Sequence, residues 1–186
     1  MLAAVRYNLA NLFNFRGRET RALFWPYAGL VFVLTIIGIM VAMLPRLADS
    51  MTRMQRFAAE HPEQATVQSG PGTYSITIHG NHPELMPDMA AMMTGMDFVL
   101  AGTILLLAAA VVRRLHDRGR SGWWGLMPIP FLAFASFVIP KFFAQSQPDM
   151  GLFLAIFFNN LLYLVSLGVL IVMLAGASLK GDEATH

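Results

Sequence analysis

The chain has 186 residues, of which 56% are hydrophobic before glycine is counted and only 13% are charged, with a formal net charge of +2. Soluble domains run at about 45–50% apolar and about 25% charged, so a single water-soluble core, a disordered chain and a collagen-like repeat are excluded, and embedding in a membrane is the class that remains. The chain has no cysteine, which excludes disulfides, thiolate catalysis and Cys-ligated zinc.

The first apolar run, Ala22–Leu44, holds 23 residues. At 1.5 Å rise per residue it reaches about 34 Å, enough to cross the hydrocarbon core of a bilayer. It starts late in the chain and is followed by Pro45-Arg46 rather than by a small-residue cleavage site, so no signal peptide is expected. Gly38 and Ala42 give it a small-xxx-small surface. Residues 45–90 form an outer insertion module. Leu47, Met51, Met54 and Ala58 recur at helical spacing, so a helix continues or lies along the surface up to Pro62. Beyond it, Ser69-Gly-Pro-Gly72 separates Ala65–Gln68 from the alternating Thr73–Ile78, which predicts a hairpin.

The second span is expected over about residues 91–112, because the purely apolar Phe98–Val112 is too short alone. That choice puts Asp97 inside the helix, where an ionisable group is a functional candidate; it is read as an interfacial carboxylate facing water. Gly95, Gly102 and Ala109 recur every seven residues and suit close packing. The third span, about 125–143, is entered through an interfacial Trp123–Met127, since Pro128 and Pro130 fit only a helix start. The fourth, about 152–176, carries Ala155, Asn159, Leu162 and Ser166 as a polar seam. The expected fold is an all-α integral membrane protein of four transmembrane helices, with a small extramembrane helix and hairpin between the first two. Cations near the span ends number nine on the side of the termini and the 113–122 loop, Lys180 among them, and four on the other side. That asymmetry predicts both termini in the cytoplasm, with Trp25, Trp123 and Trp124 as anchors at the same face.

Two arginine segments stand out at that face. One carries Arg16, Gly17, Arg18 and Arg21; the other carries Arg113, Arg114, His116, Asp117, Arg118, Gly119, Arg120, Ser121, Gly122, Trp123 and Trp124. Guanidinium groups bind phosphate through paired donors, so the seven arginines are expected to bind an anionic lipid headgroup, against a purely topological role in holding the loops inside. His116-Asp117 is read as a helix-end device, with Asp117 paired to an arginine and His116 capping the helix, rather than as an oriented base. Asp97, Asn159 and Ser166 are the polar groups that a transporter or channel subunit would use. His79 and His82, with Met89, Met92, Met93 and Met96, are the ligands that a copper-binding alternative would use. Such a methionine stripe is more often ordinary packing, and no metal, cofactor or catalytic site is assigned.

On the strength of Phe15-Arg-Gly-Arg18 with Arg21 and Phe24-Trp25, and of Arg113-Arg-Leu-His-Asp117 with Arg120-Ser-Gly-Trp-Trp124 and Ile129-Pro130, the chain resembles the YhaH-like family of small bacterial inner-membrane proteins. The resemblance implies an inner-membrane location and a joint role for the two arginine motifs, and it implies no known reaction. Two departures from the family pattern stand out. Leu23 occupies a position, two before the motif tryptophan, where an acidic residue often stands, which removes that source of an ion pair between the motifs. Ala175–His186 also lacks the usual tail of glycine and asparagine. The expected function is a non-enzymatic membrane module that interacts with anionic phospholipid, with a protein partner or a second copy of the chain as alternatives and no nucleic-acid partner.

Overall fold

Inside a bilayer every backbone N–H and C=O must find a partner within its own segment, so long apolar runs become helices. The computed structural model describes residues 1–80, 82–143, 145, 147 and 149–178. Four segments in it are long and apolar enough to cross a membrane: Arg21–Glu60, Pro83–Asp117, Gly122–Phe143 and Met150–Ala175. In chain order the elements are α1 (Leu2–Ala10), α2 (Arg21–Glu60), strands β1 (Ala65–Gly70) and β2 (Thr73–Ile78), a 3-10 turn at Pro83–Leu85, α3 (Met89–Asp117), a 3-10 turn at Gly122–Leu126, α4 (Ile129–Phe143) and α5 (Met150–Ala175). The chain is a multi-pass helical membrane protein with one small hairpin.

It divides into two compact units, the first made of Met1–Ile37 and the chain from Asp97 on, the second of Gly38–Met96. In the first unit the core gathers Ala4 of α1, Phe24, Tyr27 and Val31 of α2, Ala110 and Leu115 of α3, and Leu170 and Leu174 of α5. Helix α1 lies outside the sequence expectations, because nine residues with exposed Leu2 and Leu9 carry no strong apolar stripe. The Tyr27 hydroxyl donates to the Leu106 carbonyl at 2.9 Å, and the Thr35 and Thr103 hydroxyls meet at 2.7 Å, so α2 and α3 are tied by hydrogen bonds as well as by packing.

Helix α3 is followed by a sharp return. A β-carbon on Gly122 would come within 2.8 Å of Val112 Cγ1, and one on Gly125 within 3.0 Å of Val111 Cγ1, so the missing side chains let the 3-10 turn cross close to α3. Pro130 then sits in the first turn of α4, where its missing N–H costs nothing. Asp149 starts α5, its carboxylate accepting from the Gly151 and Leu152 amides at 2.8 and 3.1 Å. Of the expected seam on α5, Ala155 and Asn159 are half-buried and Ser166 is buried, while Leu162 is exposed; the inward face runs on through half-buried Tyr163 and buried Leu170 and Leu174, which lie on the other flank of Asn159 from Leu162.

In the second unit α2 runs on through Pro45 to Glu60, the continued helix of the two alternatives. Next to the proline, Arg46 Nη1 donates to the Ala42 carbonyl at 2.5 Å. The hairpin pairs Ala65 with Ile78 through Gly70 with Thr73, leaving Pro71-Gly72 as the loop. Gly72 has φ +78°, which with proline before it matches a type II turn. The Ser50 hydroxyl donates to the Leu85 carbonyl at 2.6 Å, and Gly95 approaches Ala42 so closely that a β-carbon would sit 3.2 Å from that methyl. Of the small residues expected to pack in α3, Gly95 and Ala109 do so, and Gly102 faces open space.

The interhelical hydrogen bonds set a testable scale. Tyr27→Phe and Thr103→Val should each lower unfolding stability by about 0.6 kcal/mol, the average for such bonds in a membrane helix pair. Denaturant titration in mixed micelles would show it, and a loss of several kcal/mol would mean that packing rather than the hydroxyl had been damaged.

Candidate functional site

The two arginine segments meet in the first unit, and the structure divides their guanidiniums into two classes. Helix α3 ends in a Schellman arrangement: Gly119, at φ +65°, donates its amide to the His116 carbonyl at 3.0 Å, and the Arg120 amide reaches back to the Leu115 carbonyl at 2.8 Å. The glycine, and not the His116 side chain, therefore closes the helix. One turn before this cap lie Arg113 and Arg114, with only 1% and 0% of their surfaces exposed.

Buried guanidiniums must be paired, and both are. Arg113 Nε and Nη2 each approach Glu19 Oε2 at 3.0 Å; Nη2 also donates to Asn8 Oδ1 at 2.6 Å, and Nη1 to the Asn11 and Asn14 carbonyls at 2.8 and 2.6 Å. Its three nitrogens thus make four hydrogen bonds besides the ion pair. Asn8 closes the ring by donating to Glu19 Oε1 at 2.8 Å, and the Glu19 amide donates to the Arg113 carbonyl at 3.2 Å. Burial raises the pKa of Glu19, against the opposing pull of Asn8 and Arg113. The two arginine motifs are thus bridged by an ion pair after all, through Glu19 rather than through the position of Leu23.

Arg114 turns the other way. It pairs with Asp117 one turn on, as expected for that aspartate, and spends its remaining donors on the end of α5: Nε on the Leu174 carbonyl at 3.0 Å, Nη2 on the Gly176 carbonyl at 2.6 Å and Nη1 on the Ser178 hydroxyl at 3.0 Å. Ser178 in turn donates to Asp117 at 2.5 Å. Arg118, half-buried, adds Nε to the Met173 carbonyl at 3.1 Å and Nη1 to the Ala177 carbonyl. Its guanidinium lies where a β-carbon on Gly176 would be. A helix leaves its last four carbonyls unsatisfied and carries partial negative charge there, so Arg114 in the last turn of α3 and Arg118 just after it serve as the cap that α5 lacks in its own sequence.

This corrects the expectation that all seven arginines bind headgroups: Arg113 and Arg114 are consumed by the protein itself, and Arg118 largely so. Arg16, Arg18, Arg21 and Arg120 are exposed, and their guanidiniums make no hydrogen bond or ion pair among the described residues. Gly17, at φ +96°, turns the chain between Arg16 and Arg18. Trp123 is 79% exposed, and Phe15, Trp25 and Trp124 are exposed as well. Ser121 caps the 3-10 turn that carries the tryptophan pair, accepting from the Trp123 amide at 3.5 Å. Lys180 lies outside the described residues, as does most of the Ala175–His186 tail.

The other candidates are engaged locally. Asp97 accepts from the Ser136 hydroxyl of α4 at 2.7 Å, which makes it a partner of the third span instead of a carboxylate facing only water. Asn159 donates to the Phe131 carbonyl at 3.1 Å and Ser166 to the Tyr163 carbonyl of its own helix at 2.7 Å. In the second unit His79 Nε2 lies 2.9 Å from the Thr66 hydroxyl and His82 Nδ1 2.9 Å from Glu84, so each imidazole has a neighbour of its own. Sequence reasoning missed Asn8, Asn11, Asn14 and Ser178. Only the lone carboxylate of the first arginine segment, Glu19, carried a readable signal, its charge opposite to its neighbours.

A family model described as "Protein of unknown function (DUF805)" matches residues 12–184. No curated protein and no solved structure matches the chain.

The two classes of arginine respond differently to truncation. Removing one member of a buried pair leaves an uncompensated charge, so Arg113→Leu or Glu19→Leu should each cost about 3–5 kcal/mol of stability, while the exposed Arg16→Ala stays within about 0.5 kcal/mol. A double-mutant cycle over Glu19 and Arg113, read by denaturation in detergent, would measure the coupling; additive single costs would contradict the pairing.

Proposed function

The chain belongs to the DUF805 family of proteins of unknown function, and from its own residues we propose that it is a non-enzymatic module of a bacterial inner membrane whose exposed arginine face engages anionic phospholipid headgroups. The observation that carries this reading is the separation of the arginines. Folding buries and pairs Arg113 and Arg114, and it leaves Arg16, Arg18, Arg21 and Arg120 exposed, as it does Phe15, Trp25, Trp123 and Trp124. Exposed cations interleaved with exposed indoles have the composition of a membrane–water interface, where the rings sit at headgroup level and each cation near an anionic surface contributes about 1 kcal/mol. The motif likeness to the YhaH-like small inner-membrane proteins supports the choice of membrane. The excess of cations on one side of the spans supports cytoplasmic termini and a cytoplasmic 113–122 loop.

Two measurements test the reading. Because the chain has no cysteine, single labels are free of background: Thr20→Cys should react with an impermeant maleimide only after lysis, and Ser69→Cys should react in intact spheroplasts. The reverse pattern would overturn the orientation. The combined variant Arg16→Gln, Arg18→Gln, Arg21→Gln and Arg120→Gln should fold normally and lose most of its enrichment of phosphatidylglycerol over phosphatidylcholine when extracted from mixed bilayers. Enrichment equal to that of the unaltered protein would sink the headgroup assignment.

A further inference from the structure

Beside the arginine face, the first unit holds an apolar cavity of about 260 Å³ between α3, the Gly122–Leu126 turn, α4 and α5. Its walls include Leu107 and Ala108 of α3, Leu132 of α4, and Tyr163 and Leu167 of α5. It exceeds the roughly 150 Å³ apolar cavity that takes up benzene. Among the described residues the Tyr163 hydroxyl makes no hydrogen bond, and it is the one phenol in a wall otherwise almost wholly aliphatic. The cavity is not sealed: Phe15, Ile104 and Leu126 line it and are exposed, so it opens on the outer surface of the spans.

At its mouth it adjoins a second hollow, of about 380 Å³, lined by His116, Ser121 and Trp123. Phe15, Val112, Gly122 and Leu126 line both spaces, so the two lie side by side. The composition changes along this path from hydrocarbon to imidazole, hydroxyl and indole, and the residues next in the chain to its rim, Arg16 after Phe15 and Arg120 before Ser121, are exposed cations. An apolar slot with a polar, cationic mouth at one end of the membrane spans is complementary to one kind of molecule: a long hydrocarbon chain carrying an anionic head.

We infer that this path is a binding site for a single anionic phospholipid, with one acyl chain between α3, α4 and α5 and the phosphate at the His116, Ser121 and Arg120 end. The inference deepens the reading of the arginine face and rests on it only for the headgroup end; the acyl-chain end stands on the cavity alone. Gly122 and Gly125 let the turn lie against α3: a β-carbon on Gly122 would clash with Val112 and one on Gly125 would crowd Val111, so side chains there would alter the wall that the turn supplies.

The test uses the full chain, extracted in mild detergent from bilayers of phosphatidylglycerol and phosphatidylcholine, with retained lipid counted by native mass spectrometry as loosely held lipids are stripped. The unaltered protein should hold one phospholipid per chain to the end, mostly phosphatidylglycerol. Ala108→Trp, which fills the slot, should abolish that last lipid, and the milder Ala108→Leu should lower its occupancy severalfold while leaving the thermal midpoint and circular dichroism near those of the parent. The exposed-arginine variant should still retain one lipid but without preference between the two headgroups. Retention by Ala108→Trp equal to that of the parent, the absence of any tightly held lipid, or a retained molecule lacking phosphate would each overturn the site. Loss of headgroup preference in the parent with the last lipid still held would instead count against the arginine face alone.

Discussion

Two adjacent guanidiniums at the end of a membrane helix impose the constraint around which the first unit is arranged. Neither Arg113 nor Arg114 reaches water, and an isolated charge in such surroundings costs several kcal/mol after any relaxation, so each must be surrounded by acceptors that the chain brings from elsewhere. Side chains on successive residues of a helix point about 100° apart, so the two draw on different partners except at Glu19, whose carboxylate pairs with Arg113 and whose carbonyl accepts from Arg114 at 3.4 Å. Arg113 is answered by α1 and the segment that leads into α2, through Asn8, Asn11, Asn14 and Glu19; Arg114 is answered by Asp117 and by the frayed end of α5. One dipeptide therefore fixes three separate parts of the chain to a single turn of α3.

The same geometry explains why α5 needs no glycine cap in the left-handed conformation. Gly176 has an extended backbone, and the carbonyls of residues 173, 174, 176 and 177 are instead taken by Arg118 and Arg114. A cationic side chain at a helix C-terminus gains both the hydrogen bond and the attraction of the helix dipole, and it does so here in a place where water is a poor competitor. Helix α1 is held by the complementary device: the carbonyl of its C-cap residue Asn11 accepts from Arg113 at 2.8 Å, and Tyr7 lies under the same guanidinium at 5.5 Å from ring centre to Cζ. A nine-residue helix is marginal alone, and docking against a saturated arginine gives it the tertiary support that its own sequence lacks.

The spans were legible because hydrocarbon length is a strict requirement, and long, uncharged, mostly apolar runs such as Ala22–Leu44 and Leu152–Gly176 satisfy it in only one way. The hairpin was legible because Pro71-Gly72 is turn chemistry between alternating residues. The fate of the arginines was not. Charge counting treats Arg113 and Arg120 alike, since both lie near a span end, and nothing local distinguishes a guanidinium that will meet Glu19, 94 residues away in sequence, from one that will meet solvent. Asn8 was invisible for a related reason: a polar residue in a short N-terminal segment reads as solvated until the partner that buries it is known. The heptad of Gly95, Gly102 and Ala109 was half-informative, because sequence spacing shows which residues share a face but not whether a neighbour fills it.

The buried network also bears on how the exposed one can act. Val111 and Val112, against which Gly125 and Gly122 pack, directly precede Arg113, so the register of the turn on α3 is set within a residue or two of the ion pairs that lock α3 to α1 and α5. Loosening those pairs would let the turn shift, and with it the rim carrying His116, Ser121 and Trp123. Arg113 and Arg114 thus influence any ligand at that rim only by holding its frame, and their loss could not be separated from loss of the fold. Arg16 and Arg120 have no such structural duty among the described residues. Their cost to solubility in hydrocarbon is avoided by exposure, and their benefit to folding is close to nothing. What they contribute therefore lies outside the packing of the protein, at the membrane face where their charge also bears on the orientation of the spans.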